Sequence, residues 1–107
     1  MSNIKYEQVK RASETYGTPL YLVDIDRLVE RYNLIKSSFP KDTKIAYAMK
    51  ANYTQTLLKK LHKLGSYFDV FSPGELKLLE MSNCETDRVN YTSVAETENE
   101  FLYALNK

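Results

Sequence analysis

Lys44-Ile45-Ala46-Tyr47-Ala48-Met49-Lys50-Ala51-Asn52 reads as a short buried strand that ends on a lysine. Side chains alternate across a strand, so Ile45, Tyr47 and Met49 share one face while Ala46, Ala48 and Lys50 share the other. The bulky face suits packing beneath helices. The opposite face sets two alanines beside one long amine, and alanines there leave space that a close-packed core would fill. A lysine at the C-terminal end of a strand, above a small-residue surface, stands where a lysine that condenses with an aldehyde cofactor would stand. The same placement serves a lysine whose stem covers apolar surface while its amine reaches solvent. This stretch alone leaves both readings open.

Outward from the strand, the apolar pattern breaks into alternating short runs. Downstream, Asn52 or Thr54 caps a helix that carries Leu57, Leu58, Leu61 and Leu64 on one face and stops at Gly65. Tyr67-Phe68-Asp69-Val70-Phe71 follows as a strand. Ser72-Pro73-Gly74-Glu75 opens the next helix, with proline at the first helical position and Leu76, Leu78 and Leu79 as its inward residues. Ser72 and Glu75 also have capping-box spacing, in which the glutamate bonds back to the N-cap amide. Arg88-Val89-Asn90-Tyr91-Thr92 reads as a further strand, and a last helix runs through Phe101, Leu102 and Leu105.

Upstream, Ile25, Leu28, Tyr32, Ile35 and Phe39 recur at helical steps behind Asp24 or Asp26 as cap, and Pro40 ends that helix. Leu20-Tyr21-Leu22-Val23 is a short β-prone run. Residues 4–15 suit a weak surface helix ended by Gly17 and Pro19. From Thr43 onward the order is strand and helix in alternation, which predicts an α/β fold of parallel βα units. Three such units do not close a barrel and leave two unpaired sheet edges. The chain is therefore expected to be the front portion of a larger βα fold.

The 107 residues provide for one small domain with a modest core. Fifteen basic against 14 acidic side chains leave a net charge of +1, with no cluster of Lys or Arg to track phosphates, which argues against a nucleic-acid partner. The single cysteine, Cys84, has no second thiol or matching histidine, so no disulfide, metal site or Cys/His nucleophile is expected. Met1-Ser2-Asn3-Ile4-Lys5 leads into polar sequence and no run reaches membrane-spanning length, so the expectation is a cytoplasmic protein without a membrane partner. His62, among Lys59, Lys60 and Lys63, is expected to be solvated on an outer helix face. Tyr47 and Tyr53 are expected to be packing residues, and Cys84 a loop or helix-end thiol.

Four words stand in a fixed order: Tyr16-Gly17-Thr18-Pro19-Leu20-Tyr21, Ala46-Tyr47-Ala48-Met49-Lys50-Ala51-Asn52, Phe68-Asp69-Val70 and Ser72-Pro73-Gly74-Glu75-Leu76. Together they resemble the N-terminal part of the pyridoxal-phosphate-dependent decarboxylases built on an alanine-racemase-like barrel, the ornithine/diaminopimelate/arginine decarboxylase family, and most closely its diaminopimelate branch. The resemblance covers nearly the whole chain. It implies a partial (β/α)8 barrel comprising about the first three βα units. Residues 1–23 would supply a helix and short strand joining a β domain, and residues 24–107 the front of the cofactor-binding barrel.

The resemblance also implies the chemistry. The lysine matching Lys50 carries pyridoxal 5'-phosphate, Asp69 and Glu75 fall near the cofactor, and Ala48 is a small residue lining its pocket. Glu75 retains its capping reading beside this one. The implied reaction is decarboxylation of a small amino acid, meso-diaminopimelate to L-lysine and CO2, by a homodimer when full length. Ornithine, arginine and lysine decarboxylases would share the four words, and a catalytically inactive truncated relative is the further alternative. Where diaminopimelate enzymes commonly show Ser-Gly-Gly-Glu, this chain has Ser72-Pro73-Gly74-Glu75, which weakens the substrate assignment but not the cofactor. The 107-residue piece by itself is expected to be inactive, because the family places other site residues later.

Overall fold

The alternating runs become βα units in the computed structural model of the protein, which describes residues 4–107. Among the described residues the elements are α1 (Tyr6–Tyr16), α2 (Ile25–Ser38), β1 (Ala46–Ala48), a 3-10 turn (Met49–Ala51), α3 (Gln55–Lys63), β2 (Tyr67–Val70), α4 (Pro73–Met81), a second 3-10 turn (Thr86–Arg88), β3 (Val89–Tyr91) and α5 (Glu98–Leu105). The strands form one sheet in the order β1-β2-β3, and both pairings are parallel.

Register divides the sheet into two unlike faces. Ala46, Tyr47 and Ala48 pair with Tyr67, Phe68 and Asp69, and Phe68, Asp69 and Val70 pair with Val89, Asn90 and Tyr91. Paired residues of adjacent strands share a face. Phe68 and Val70, fully buried, lie with Tyr47, Val89 and Tyr91 against Leu57, Leu58, Leu61, Leu76 and Leu79 of α3 and α4. The other face carries Ala46, Ala48, Tyr67, Asp69 and Asn90, and it is open: Ala46 and Asn90 are exposed. The helices therefore cover one side only.

Local chemistry fixes the element ends. Asp24 is the cap of α2, its Oδ1 accepting from Arg27 N at 2.8 Å. At the end of α3, Gly65 takes φ +84°, which favours glycine, and its N–H donates to His62 O while Ser66 N–H donates to Leu61 O. Pro73 sits in the first turn of α4, and Ser72 Oγ accepts from Glu75 N at 3.2 Å.

Three expectations are corrected. Leu20–Val23 joins no sheet, and Tyr21 is fully exposed. No strand among the described residues lies beside that run, and an unpaired strand has nothing to bond to. In α5, Phe101, Leu102 and Leu105 face outward, while Tyr103 and Ala104 meet the core. The Tyr103 hydroxyl donates to Glu80 of α4 at 3.0 Å and sets that rotation. The strand expected to reach Lys50 stops at Ala48.

The first three residues of the 1–23 segment, and with them the reading of the chain start, lie outside the described residues. Among the described residues no helix is long and apolar enough to cross a membrane.

Candidate active site

The early end of β1 builds the site. Met49 is fully buried, and burying that side chain next to the strand end turns the backbone into the 3-10 turn Met49–Ala51. Lys50 does not follow Met49 into the helix layer. It is exposed, and its Nζ stands 4.9 Å from the centroid of the Phe71 ring, a cation–π contact of about 0.5–1 kcal/mol at an exposed position. Phe71 follows directly after β2.

Two further bonds hold the turn. The Tyr47 hydroxyl donates to Asn52 O at 3.0 Å, closing a loop around Lys50. Burial pushes the Tyr47 hydroxyl above its usual range, which keeps it a donor. Asn52 Oδ1 then accepts from Thr54 N at 2.9 Å and from Thr54 Oγ1 at 2.7 Å. Thr54 occupies the N-cap of α3, but its own side chain makes no cap bond.

Asp69 is the register partner of Ala48. It therefore belongs to the open face, beside the strand end from which Lys50 departs. Among the described residues neither Lys50 nor Asp69 takes part in an ion pair. Asn90 continues the row on β3 as partner of Asp69.

Glu75 differs from the capping-box reading. Its Oε2 accepts from Phe71 N at 2.8 Å, one residue before the N-cap Ser72. The half of the box in which Ser72 accepts from the Glu75 amide is present, whereas the carboxylate fixes the backbone of the residue whose ring lies beneath Lys50.

Lys50, Asp69 and Glu75 thus gather around the C-terminal ends of β1 and β2, with Ala48 next to them on the open face. Sequence reasoning missed Phe71, read only as a strand residue, and Asn90, whose place follows from strand parity. It also read Tyr47 as packing; a tyrosine rather than a phenylalanine in a buried strand was the available signal. His62 is not the solvated side chain expected. It is mostly covered, and its Nε2 accepts from Glu85 N at 3.2 Å, tying α3 to the loop before β3. Cys84, expected at a loop or helix end, is a buried thiol just beyond α4.

Residues 25–107 match the family model described as the pyridoxal binding domain of pyridoxal-dependent decarboxylases. The chain belongs to this family. The diaminopimelate decarboxylase of Aquifex aeolicus is 37% identical over 98 residues, covering 92% of this chain and 23% of that protein. The lysine/ornithine decarboxylase of Selenomonas ruminantium is 32% identical over 87 residues, covering 81% of this chain and 22% of that protein. The solved complex of SrLDC with PLP and cadaverine superposes with a TM-score of 0.85 at 28% identity, over 97% of this chain and 27% of that one. The chain spans about a quarter of the length of the relatives it matches. Its parallel βα units are accordingly part of the pyridoxal-dependent decarboxylase barrel of the alanine-racemase type.

Proposed function

We propose that this chain is the cofactor-binding front of a pyridoxal-phosphate-dependent amino-acid decarboxylase that converts meso-diaminopimelate to L-lysine and CO2. The observation that supports it most is the amine of Lys50, exposed at the end of β1 over the Phe71 ring and free of any carboxylate partner among the described residues. The residues present fit the cofactor: alanines 46 and 48 leave room on the open face, and Asp69 puts a carboxylate there. When bound, pyridoxal phosphate supplies an electron sink for the pair left by loss of CO2.

In this reading Lys50 holds the cofactor through its amine, Asp69 sets the charge beside it, and Ala48 keeps the pocket clear. Glu75 acts at one remove by fixing Phe71. Residues 1–23 are the part that joins a β domain and residues 24–107 the barrel front. The full-length protein is a cytoplasmic homodimer acting on a small amino acid. The second reading, an ornithine, arginine or lysine decarboxylase of the same fold, is supported by the Selenomonas relative, and Pro73 in the word Ser72-Pro73-Gly74-Glu75 weakens the diaminopimelate assignment.

Two experiments on the full-length polypeptide test the proposal. CO2 release is measured with diaminopimelate, ornithine, arginine and lysine, and no release from diaminopimelate removes the first substrate. Borohydride reduction in the presence of pyridoxal phosphate should leave the pyridoxyl group on Lys50, and Lys50→Ala should abolish that adduct while the protein stays folded, since the side chain is exposed. An adduct persisting on Lys44 or Lys59 in that variant would overturn the assignment.

A further inference from the structure

Tyr47 lies on the helix-facing side of β1, register partner of the fully buried Phe68. For packing alone a phenylalanine would fill nearly the same volume. The hydroxyl is therefore the informative atom, and it reaches five residues ahead to donate to Asn52 O at 3.0 Å. The segment it spans contains the 3-10 turn with Lys50 at its centre. Short 3-10 turns have poor internal hydrogen-bond geometry and depend on outside anchors. Here one anchor is the buried Met49 side chain, and the other is the Tyr47–Asn52 bond, extended by the bonds from Asn52 Oδ1 to Thr54.

We propose that Tyr47 is a positioning residue for Lys50: its hydroxyl closes the turn and so sets where the lysine amine stands on the open face. The inference rests on Lys50 being the cofactor lysine. It predicts a division of labour within one strand, in which the tyrosine ring stabilises the core and its hydroxyl serves the site. Displacing a reacting group by about 1 Å costs up to about a hundredfold in rate, far more than the loss of one neutral hydrogen bond would do through stability alone.

The test uses the full-length polypeptide and reads the rate of pyridoxal phosphate capture by absorbance, together with the site of the borohydride-fixed pyridoxyl group by peptide mass. Four proteins are compared: wild type, Tyr47→Phe, Asn52→Ala, which keeps the carbonyl that accepts from Tyr47 and removes only the Oδ1 bonds to Thr54, and Leu78→Ala, which truncates a partly buried α4 residue packed against the core. Urea midpoints report stability for each. Tyr47→Phe should remain folded yet capture about tenfold or more slowly, with label spreading to other lysines. Asn52→Ala should slow capture less, since the Tyr47 bond survives it, and if the tyrosine variant folds poorly its capture rate is compared per folded molecule, the folded fraction being read from its urea transition. Leu78→Ala should lose stability but capture at the wild-type rate. Unchanged capture in Tyr47→Phe, or equal slowing in Leu78→Ala, would overturn the positioning role. Wild-type protein that carries no label on Lys50 would instead overturn the cofactor assignment, and this inference with it.

Discussion

Replacing Glu75 separates a positioning carboxylate from one that acts on the cofactor by its charge. Its Oε2 accepts from the half-buried Phe71 amide at 2.8 Å, and it sits in the first turn of α4. A hydrogen bond to an ionised acceptor contributes about 1.5–3 kcal/mol, and a negative charge at a helix N-terminus adds about 0.3–1 kcal/mol. Glu75→Ala loses both and leaves the Phe71 amide without its partner, so a loss of about 2–3 kcal/mol is expected. Glu75→Gln keeps an oxygen acceptor and gives up only the charge, so its loss is about 1 kcal/mol. Urea unfolding of the full-length polypeptide, with m held common, measures both. Because the Phe71 ring lies beneath Lys50, capture of pyridoxal phosphate should follow the same order, nearly normal in Gln and impaired in Ala. If Gln and Ala abolish capture equally while stability barely changes, Glu75 works by its charge on the cofactor and the positioning argument fails.

The remaining predictions concern stability. Leu58→Ala empties the centre of the helix-facing core, where Leu58 is fully buried, and should cost about 2–5 kcal/mol in the same unfolding assay. Acidification should destabilise the fold. Hydrogen bonding to Arg27 lowers the Glu30 carboxyl, hydrogen bonds from Lys107 and Tyr103 lower that of Glu80, and the Thr97 amide and hydroxyl lower that of Glu100. A group with a depressed folded value contributes stability above its ordinary value of 4.5 and loses it as pH falls through the folded value. The urea midpoint should therefore drop below about pH 4.5, and less so in Glu80→Gln; a midpoint flat to pH 3 in wild type would contradict this.

The sequence carried the architecture because its cues are local. The leucine spacing of α3 and α4, the Gly65 stop, and Ser72-Pro73 at a helix start each dictate one element whatever surrounds them. Parity divided each strand into two faces, but that Ala48 and Asp69 share one is set by the register of β1 on β2. What was hidden depended on contacts between segments. Nothing within Ala46–Asn52 announces that Met49 will be drawn into the core and end the strand there, since that depends on the space left by Phe68 and the α3 leucines. The shift of the Glu75 bond to Phe71 depends on how β2 meets α4. The unpaired Leu20–Val23 shows the converse, a strong β-prone run with no neighbour to pair with among the described residues.

Strand order has a consequence for how the molecule is made. Each strand pairs with the next one in the chain, β1 with β2 and β2 with β3, and the helices that cover them come from the intervening segments. The loops to be closed are short, so the entropy cost of each addition is small. During synthesis the sheet can then grow one βα unit at a time as the polypeptide leaves the ribosome. At each stage the newest strand presents a bare edge, so slow translation beyond β3 lengthens the period in which nascent chains can pair with one another.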